Sequence, residues 1–139
     1  HPENKKIRQF RCRIKNQNNP VLLTSMGEGT KRLLGIYLSL VNTHNGVLLI
    51  DEIENGIHYS IHQKLWEIIL DFAEKLNVQV FATTHSWDCI NGFQRALNNF
   101  HNPLIGQLIR LSKRNDNIIT TSSDARELAI AVRENIEVR

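Results

Sequence analysis

With 139 residues, of which 41% are hydrophobic and 22% charged, the chain has material for one ordinary domain with a real core, and is neither disordered nor fibrous. Its longest apolar runs, such as Val47–Ile50, are too short to cross a bilayer, and no charged-then-apolar leader opens it, so a membrane-free cytoplasmic protein is expected. Only Cys12 and Cys89 are present, without a CxxC pattern, which argues against a disulfide framework or a cysteine zinc site.

The net charge of +3 is concentrated at the start, where Lys5, Lys6, Arg8, Arg11, Arg13 and Lys15 face only Glu3. His1 in place of an initiator methionine leads to the expectation of a processed chain or a segment of a longer protein. Over residues 7–15 the pattern alternates, Phe10, Cys12 and Ile14 against Arg11, Arg13 and Lys15, which predicts a strand with one basic face. Residues 16–20 carry turn chemistry, and Val21, Leu22 and Leu23 form a short apolar piece. Ser25 and Glu28 have capping-box spacing ahead of a stripe of Leu33, Leu34, Tyr37, Leu40 and Val41, so a helix is predicted from Ser25 to near Asn45-Gly46.

The run Val47–Ile50 is apolar on both faces, as a central parallel strand should be. A second capping box, Ser60 with Gln63, precedes a helical stripe of Ile61, Leu65, Ile68, Ile69, Phe72 and Leu76, and residues 78–82 form the next strand. This order predicts a right-handed βαβ unit whose two strands end on the same edge, the edge where open α/β sheets bind ligands. Ser86 caps a third helix bearing Ile90, Phe93 and Leu97. Residues 105–111 and 118–121 read as a hairpin, and a short helix from Asp124 follows.

The chemistry gathers at those strand ends. The strand Val47–Ile50 runs directly into Asp51-Glu52, where one carboxylate can hold Mg²⁺ and the next can orient or deprotonate a water, although adjacent acids are also common in plain loops. The neighbouring strand ends in Thr83-Thr84-His85, and a neutral imidazole there can hydrogen-bond a phosphate oxygen or water. His58 and His62 have i, i+4 spacing, but Tyr59 stands where HExxH needs glutamate, so a structural role is favoured over zinc. The basic strand face is read as solvated, since no aromatic is interleaved on it, and Trp66 and Trp87 as packing residues.

Taken together, Ser25-Met26-Gly27-Glu28, then Leu48-Leu49-Ile50-Asp51-Glu52-Ile53-Glu54-Asn55-Gly56-Ile57-His58, then Ala82-Thr83-Thr84-His85-Ser86 resemble the signature motif, Walker B, D-loop and H-loop of an ABC-type ATPase. The closest likeness is to the prokaryotic AAA-family ATPases related to the OLD, RecF and SMC proteins. It extends over nearly the whole chain, through the hairpin to Asn135-Ile136-Glu137-Val138-Arg139. The resemblance implies a P-loop NTPase fold, ATP and Mg²⁺ as cofactors, and a nucleotide-bridged head-to-tail homodimer. It implies Asp51 as the Mg²⁺-positioning aspartate, Glu52 as the general base or water-orienting carboxylate and His85 as the switch histidine. Ser25, Gly27 and Glu28 would serve the nucleotide of the opposite subunit, with Met26 standing where a first glycine is usual.

No GxxxxGK[ST] sequence occurs in the chain. Gly27-Glu28-Gly29-Thr30-Lys31 comes nearest, with its lysine after the threonine and the wrong glycine spacing. Residues 1–139 are therefore expected to form a single domain, the C-terminal lobe of an ATPase whose P-loop and Q-loop lie in an N-terminal half. The expected fold is α/β, a parallel sheet flanked by helices with a small hairpin near the end. The expected function is ATP hydrolysis coupled to dimer opening and closing, with DNA repair or anti-phage defence as settings and DNA or a nuclease or effector as partners. Two rivals stand beside it: a non-catalytic dimerisation or effector-docking lobe, and a metal-dependent nuclease in which Asp51, Glu52 and Glu54 hold divalent ions.

Overall fold

Two short antiparallel strands, β1 (Arg11–Cys12) and β2 (Val21–Leu22), open the computed structural model, which describes residues 10–16, 18–102 and 105–134. Within the predicted 7–15 strand only β1 is extended and paired, and residues 7–9 lie outside the described residues. The alternation holds in burial: Arg11, Arg13 and Lys15 are exposed while Cys12 and Ile14 are half-buried, with Phe10 exposed against the pattern. A 3-10 turn, Leu23–Ser25, leads into helix α1 (Gly27–Val41). Its N-cap is Met26, without a side-chain cap, because the Ser25 hydroxyl donates back to the Leu22 carbonyl at 2.7 Å. The predicted Ser25 capping box is thus not formed, the hydroxyl being used to close the preceding turn.

Strand β3 (Val47–Ile50) pairs in parallel with β4 (Gln79–Ala82), Ile50 standing opposite Ala82. Helix α2 (His62–Leu76) connects them, entered through a 3-10 turn over Tyr59–Ile61. Here too the expected cap is replaced. His58 caps the turn, its Nδ1 accepting from the Ser60 backbone N–H at 3.4 Å and lying 3.0 Å from the Ser60 hydroxyl, and Ile61 precedes α2 without a side-chain cap. The end of α2 is conventional: Asn77 takes the left-handed conformation at φ 53°, tolerable for asparagine, and bonds to Asn45 at 2.9 Å.

Helix α3 (Trp87–Asn99) starts as its sequence predicts, the Ser86 hydroxyl accepting from the Cys89 N–H at 3.3 Å. Strands β5 (Leu108–Arg114) and β6 (Asn117–Ser123) form the hairpin. Asn115 and Asp116, both at positive φ, supply the two-residue turn that matches strand twist. Helix α4 (Ala125–Arg133) carries a true capping box, Asp124 with Glu127. The predicted likeness at residues 135–139 lies outside the described residues.

Leu40, Ile53, Leu65, Ile69, Cys89, Leu97 and Leu128 are buried to less than 2% exposure, each large aliphatic contributing roughly 1.5–3 kcal/mol of transfer free energy. Helices α2 and α3 approach closely because Gly92 has no side chain: a Cβ there would lie 2.9 Å from the Gln63 nitrogen and from the His62 Cβ. Trp66 closes this interface as a packing residue, its ring centroid 4.7 Å from that of Phe93 at an interplanar tilt of 54°, and its Nε1–H donating to the Cys89 carbonyl at 3.2 Å. The sheet departs from expectation in one respect. Leu48, Ile50, Val80 and Ala82 face the helices, whereas Val47, Leu49 and Phe81 are 57%, 74% and 49% exposed, so β3 is covered on one face among the described residues.

Candidate functional site

Because β3 and β4 are parallel and in register, Asp51 and Thr83 leave the sheet side by side. The ladder continues past the strands through Thr83 N–H to the Ile50 carbonyl at 2.9 Å and Ile53 N–H to the Thr83 carbonyl at 3.0 Å. The Thr83 hydroxyl then ties the acidic pair together, donating to Asp51 Oδ1 at 2.6 Å and accepting from Glu52 N–H at 2.8 Å. Glu52 adopts φ 44°, a left-handed conformation costing a non-glycine residue about 1–2 kcal/mol. Its carbonyl is held by Asn55 N–H at 3.0 Å and by Arg32 Nη2 at 3.2 Å, which offsets that cost. The turn projects both carboxylates to the solvent-exposed sheet edge.

This donor set suits a small hard cation. Thr83 occupies Oδ1 of Asp51 and leaves Oδ2, and among the described residues the Glu52 carboxylate meets only a long contact from Asn55 Nδ2, at 3.4 Å. Mg²⁺ binds readily through one or two carboxylates while keeping several waters. Among the described residues no three His, Cys, Asp or Glu side chains converge into a protein-built cage. Glu54 is half-buried and turned to the His85 backbone N–H, which its Oε1 accepts at 3.0 Å. Burial alone would raise the Glu54 pKa, but bonds from its own N–H, from Thr84 and from His85, with His62 nearby, outweigh that and hold it below its ordinary value. Glu54 Oε1 thereby fixes the His85 turn, while Oε2 is buried without a hydrogen-bond partner among the described residues. The His85 ring is left exposed at the same edge as Asp51 and Glu52.

Ser25, Gly27 and Glu28 gather separately, at the start of α1. Gly27, at φ 79°, makes the turn into the helix, whose first-turn N–H groups have no intrahelical partners. Glu28 pairs with Lys31 at 2.6 Å. The two groups are joined by a groove of about 690 Å³ between α1 and β3, lined by Glu28, Arg32, Asp51, Asn55 and Gly56 among others. At its floor the α1 backbone meets the loop after β3: a Cβ on Gly29 would fall 2.5 Å from the Gly56 carbonyl oxygen, and Gly56 itself is at φ 75°.

Sequence reading missed three of these parts: the Thr83 hydroxyl as the tie between strands, Arg32, and the Gly29 to Gly56 contact. A glycine inside a helical stripe is a usable sign of close packing, since it costs about 1 kcal/mol against alanine unless something approaches there. Of the histidines, His62 is buried with Nε2 on the Ile57 carbonyl at 3.1 Å, and His58 serves as a cap. Neither belongs to a group of three or more potential ligands among the described residues.

Residues 7–88, more than half of the chain, match the family described as "AAA domain, putative AbiEii toxin, Type IV TA system". An ATP/GTP phosphatase of Helicobacter pylori is 34% identical over 85 residues, which are 59% of this chain and 23% of that protein. The chain thus spans about a quarter of that relative. An uncharacterized protein of Methanocaldococcus jannaschii is 33% identical over 96 residues, 69% of this chain and 82% of that protein. A chain solved in work on ATP-driven dimerization and DNA-stimulated activation of SMC ATPases superimposes with a TM-score of 0.62 at 11% identity, over 94% of this chain and 74% of that one. At that identity the likeness shows the fold alone, an α/β fold shared with that SMC ATPase chain, and no helix among the described residues is long and apolar enough to cross a membrane. With the strand-end carboxylates, the matched span and the superposition in agreement, the chain belongs to this family of AAA-domain ATPase-like proteins.

Proposed function

We propose that this chain is the C-terminal lobe of an ATPase that works as a nucleotide-bridged, head-to-tail dimer, its P-loop lying in another part of the same polypeptide. The observation that carries the reading is the Thr83 tie, which holds Asp51 and Glu52 side by side at the exposed edge that also bears His85, with Thr83 engaging only Oδ1 of Asp51. Mg²⁺ would be held by Asp51 and, when bound with ATP, would neutralise the phosphate charge and template the attack. Glu52 orients and deprotonates the water, its backbone fixed on both sides. His85 hydrogen-bonds the terminal phosphate, its turn clamped by Glu54. The start of α1 serves the partner's nucleotide with N–H donors, and the Ser25 hydroxyl joins them by leaving the Leu22 carbonyl.

Mixing subunits tests the dimer. A full-length Ser25→Arg protein and a P-loop mutant are each expected to be inactive, while their mixture assembles one intact composite site and recovers part of the parental rate. No recovery from demonstrated heterodimers would rule out action across the interface. The magnesium role has its own readout: Asp51→Asn should shift the Mg²⁺ concentration for half-maximal hydrolysis upward by about tenfold or more. An unchanged titration would remove Asp51 from the metal.

A further inference from the structure

The geometry points to Arg32 as a positioning residue for the Glu52 carboxylate, an inference that rests on the reading of Glu52 as the water-orienting group and deepens it. Arg32 is half-buried on α1, one turn beyond Glu28. Its Nη2 donates to two successive backbone carbonyls, Asp51 O at 2.6 Å and Glu52 O at 3.2 Å. It touches neither carboxylate by hydrogen bond, so it leaves both free for chemistry.

The place it grips is the strained one. At φ 44° Glu52 has left the direction of β3, and the Cα to Cβ bond follows the backbone. Thr83 Oγ1 fixes the N–H side of this residue at 2.8 Å, and Arg32 with Asn55 N–H fixes the carbonyl side. With both peptide groups held, the carboxylate has only its own side-chain torsions left. Arg32 is the one member of this set that comes from α1, so it also locks the carboxylate turn to the helix whose first residues are offered to the partner.

Arg32 Nε is buried without a hydrogen-bond partner among the described residues, as are Glu54 Oε2, His62 Nδ1 and Asn91 Oδ1, so the grip on the turn rests on Nη2 alone. Both carbonyls are met by the one nitrogen Nη2, so a lysine ammonium could replace these bonds in part, without the fixed direction that the planar guanidinium gives its N–H groups.

The test uses the full-length protein, with ATP hydrolysis followed under steady-state and single-turnover conditions. Arg32→Gln is expected to lower kcat on the order of 10²-fold, the effect of a displacement of about 1 Å in a catalytic group, with KM for ATP little changed. Arg32→Lys should recover only part of that loss, and added methylguanidine should partly rescue Arg32→Ala. Because Arg32 acts through Glu52, Arg32→Gln combined with Glu52→Gln should be no slower than Glu52→Gln alone. If Arg32→Gln does not fold, the Arg32→Lys variant carries the same double-mutant comparison. A parental kcat in Arg32→Gln beside an inactive Glu52→Gln would overturn the inference while leaving the role of Glu52 standing, as would a double mutant slowed by the product of the two single effects. A parental rate in Glu52→Gln would instead overturn the catalytic reading, and this inference with it.

Discussion

Glu52→Gln in the full-length protein is expected to slow ATP hydrolysis by on the order of 10²- to 10⁴-fold, the range lost with a general base, while ATP binding changes little. The amide keeps the size of the side chain and one acceptor, and the φ 44° backbone, held by Thr83, Asn55 and Arg32, does not depend on the carboxylate. The substitution therefore removes basicity without moving the turn. Nucleotide affinity should persist because phosphate grip comes from elsewhere, and loss of one negative charge at the exposed edge favours a polyanion. The checks are kcat by phosphate release and Kd for ATP by calorimetry. A trapped, nucleotide-loaded dimer should accumulate, visible as a shift in size exclusion. If the variant turns over at the parental rate, the water is handled by another group and the assignment of Glu52 fails.

How much of this was readable beforehand depends on the range of the interaction. Val47–Ile50 announced itself through composition, and the Ser86 cap and the helix start at Asp124 through nearby residues, so local pattern sufficed. Ser25 and Ser60 carried the same local pattern and failed as caps, because each sits in a 3-10 turn whose own carbonyl or histidine neighbour claims the hydroxyl. Capping spacing states what a serine can do, and the preceding turn decides whether it is free to do it. The exposed Val47, Leu49 and Phe81 face shows the converse limit: a run apolar on both faces reports what the strand can bury, not what this span of chain supplies to cover it.

The site divides along the same line. Asp51, Glu52 and His85 were legible because a parallel βαβ unit must bring consecutive strand ends to one edge, so position in sequence fixed position in space. Thr83 and Arg32 were not, since each acts across 19 to 32 residues on atoms whose placement only the folded chain defines. Glu54 was legible as an acid, but its contact with the His85 turn was not. Its carboxylate reaches a backbone N–H 31 residues away, and no property of the local sequence distinguishes that from a metal ligand.

Two glycines on one helix should respond oppositely to the same change. Gly29 and Gly35 both lie within α1, where alanine is preferred to glycine by about 0.8–1.0 kcal/mol. At Gly35 a Cβ meets nothing within 4 Å, so Gly35→Ala should realise most of that gain and raise Tm by a few degrees. At Gly29 the Cβ would sit 2.5 Å from the Gly56 carbonyl oxygen, a backbone atom in a turn that Gly56 makes at φ 75°. Overpacking of this kind costs typically 1–3 kcal/mol, more than the propensity gain, so Gly29→Ala should be neutral at best and more often lower Tm. The difference between the two variants, not either alone, measures the contact, because the helix contribution is common to both. The loop that must yield to Gly29→Ala begins with Asp51 and Glu52, so in the full-length protein the same substitution should also depress kcat by about tenfold or more. Equal Tm shifts in Gly29→Ala and Gly35→Ala would mean that α1 and the loop do not meet through Gly56.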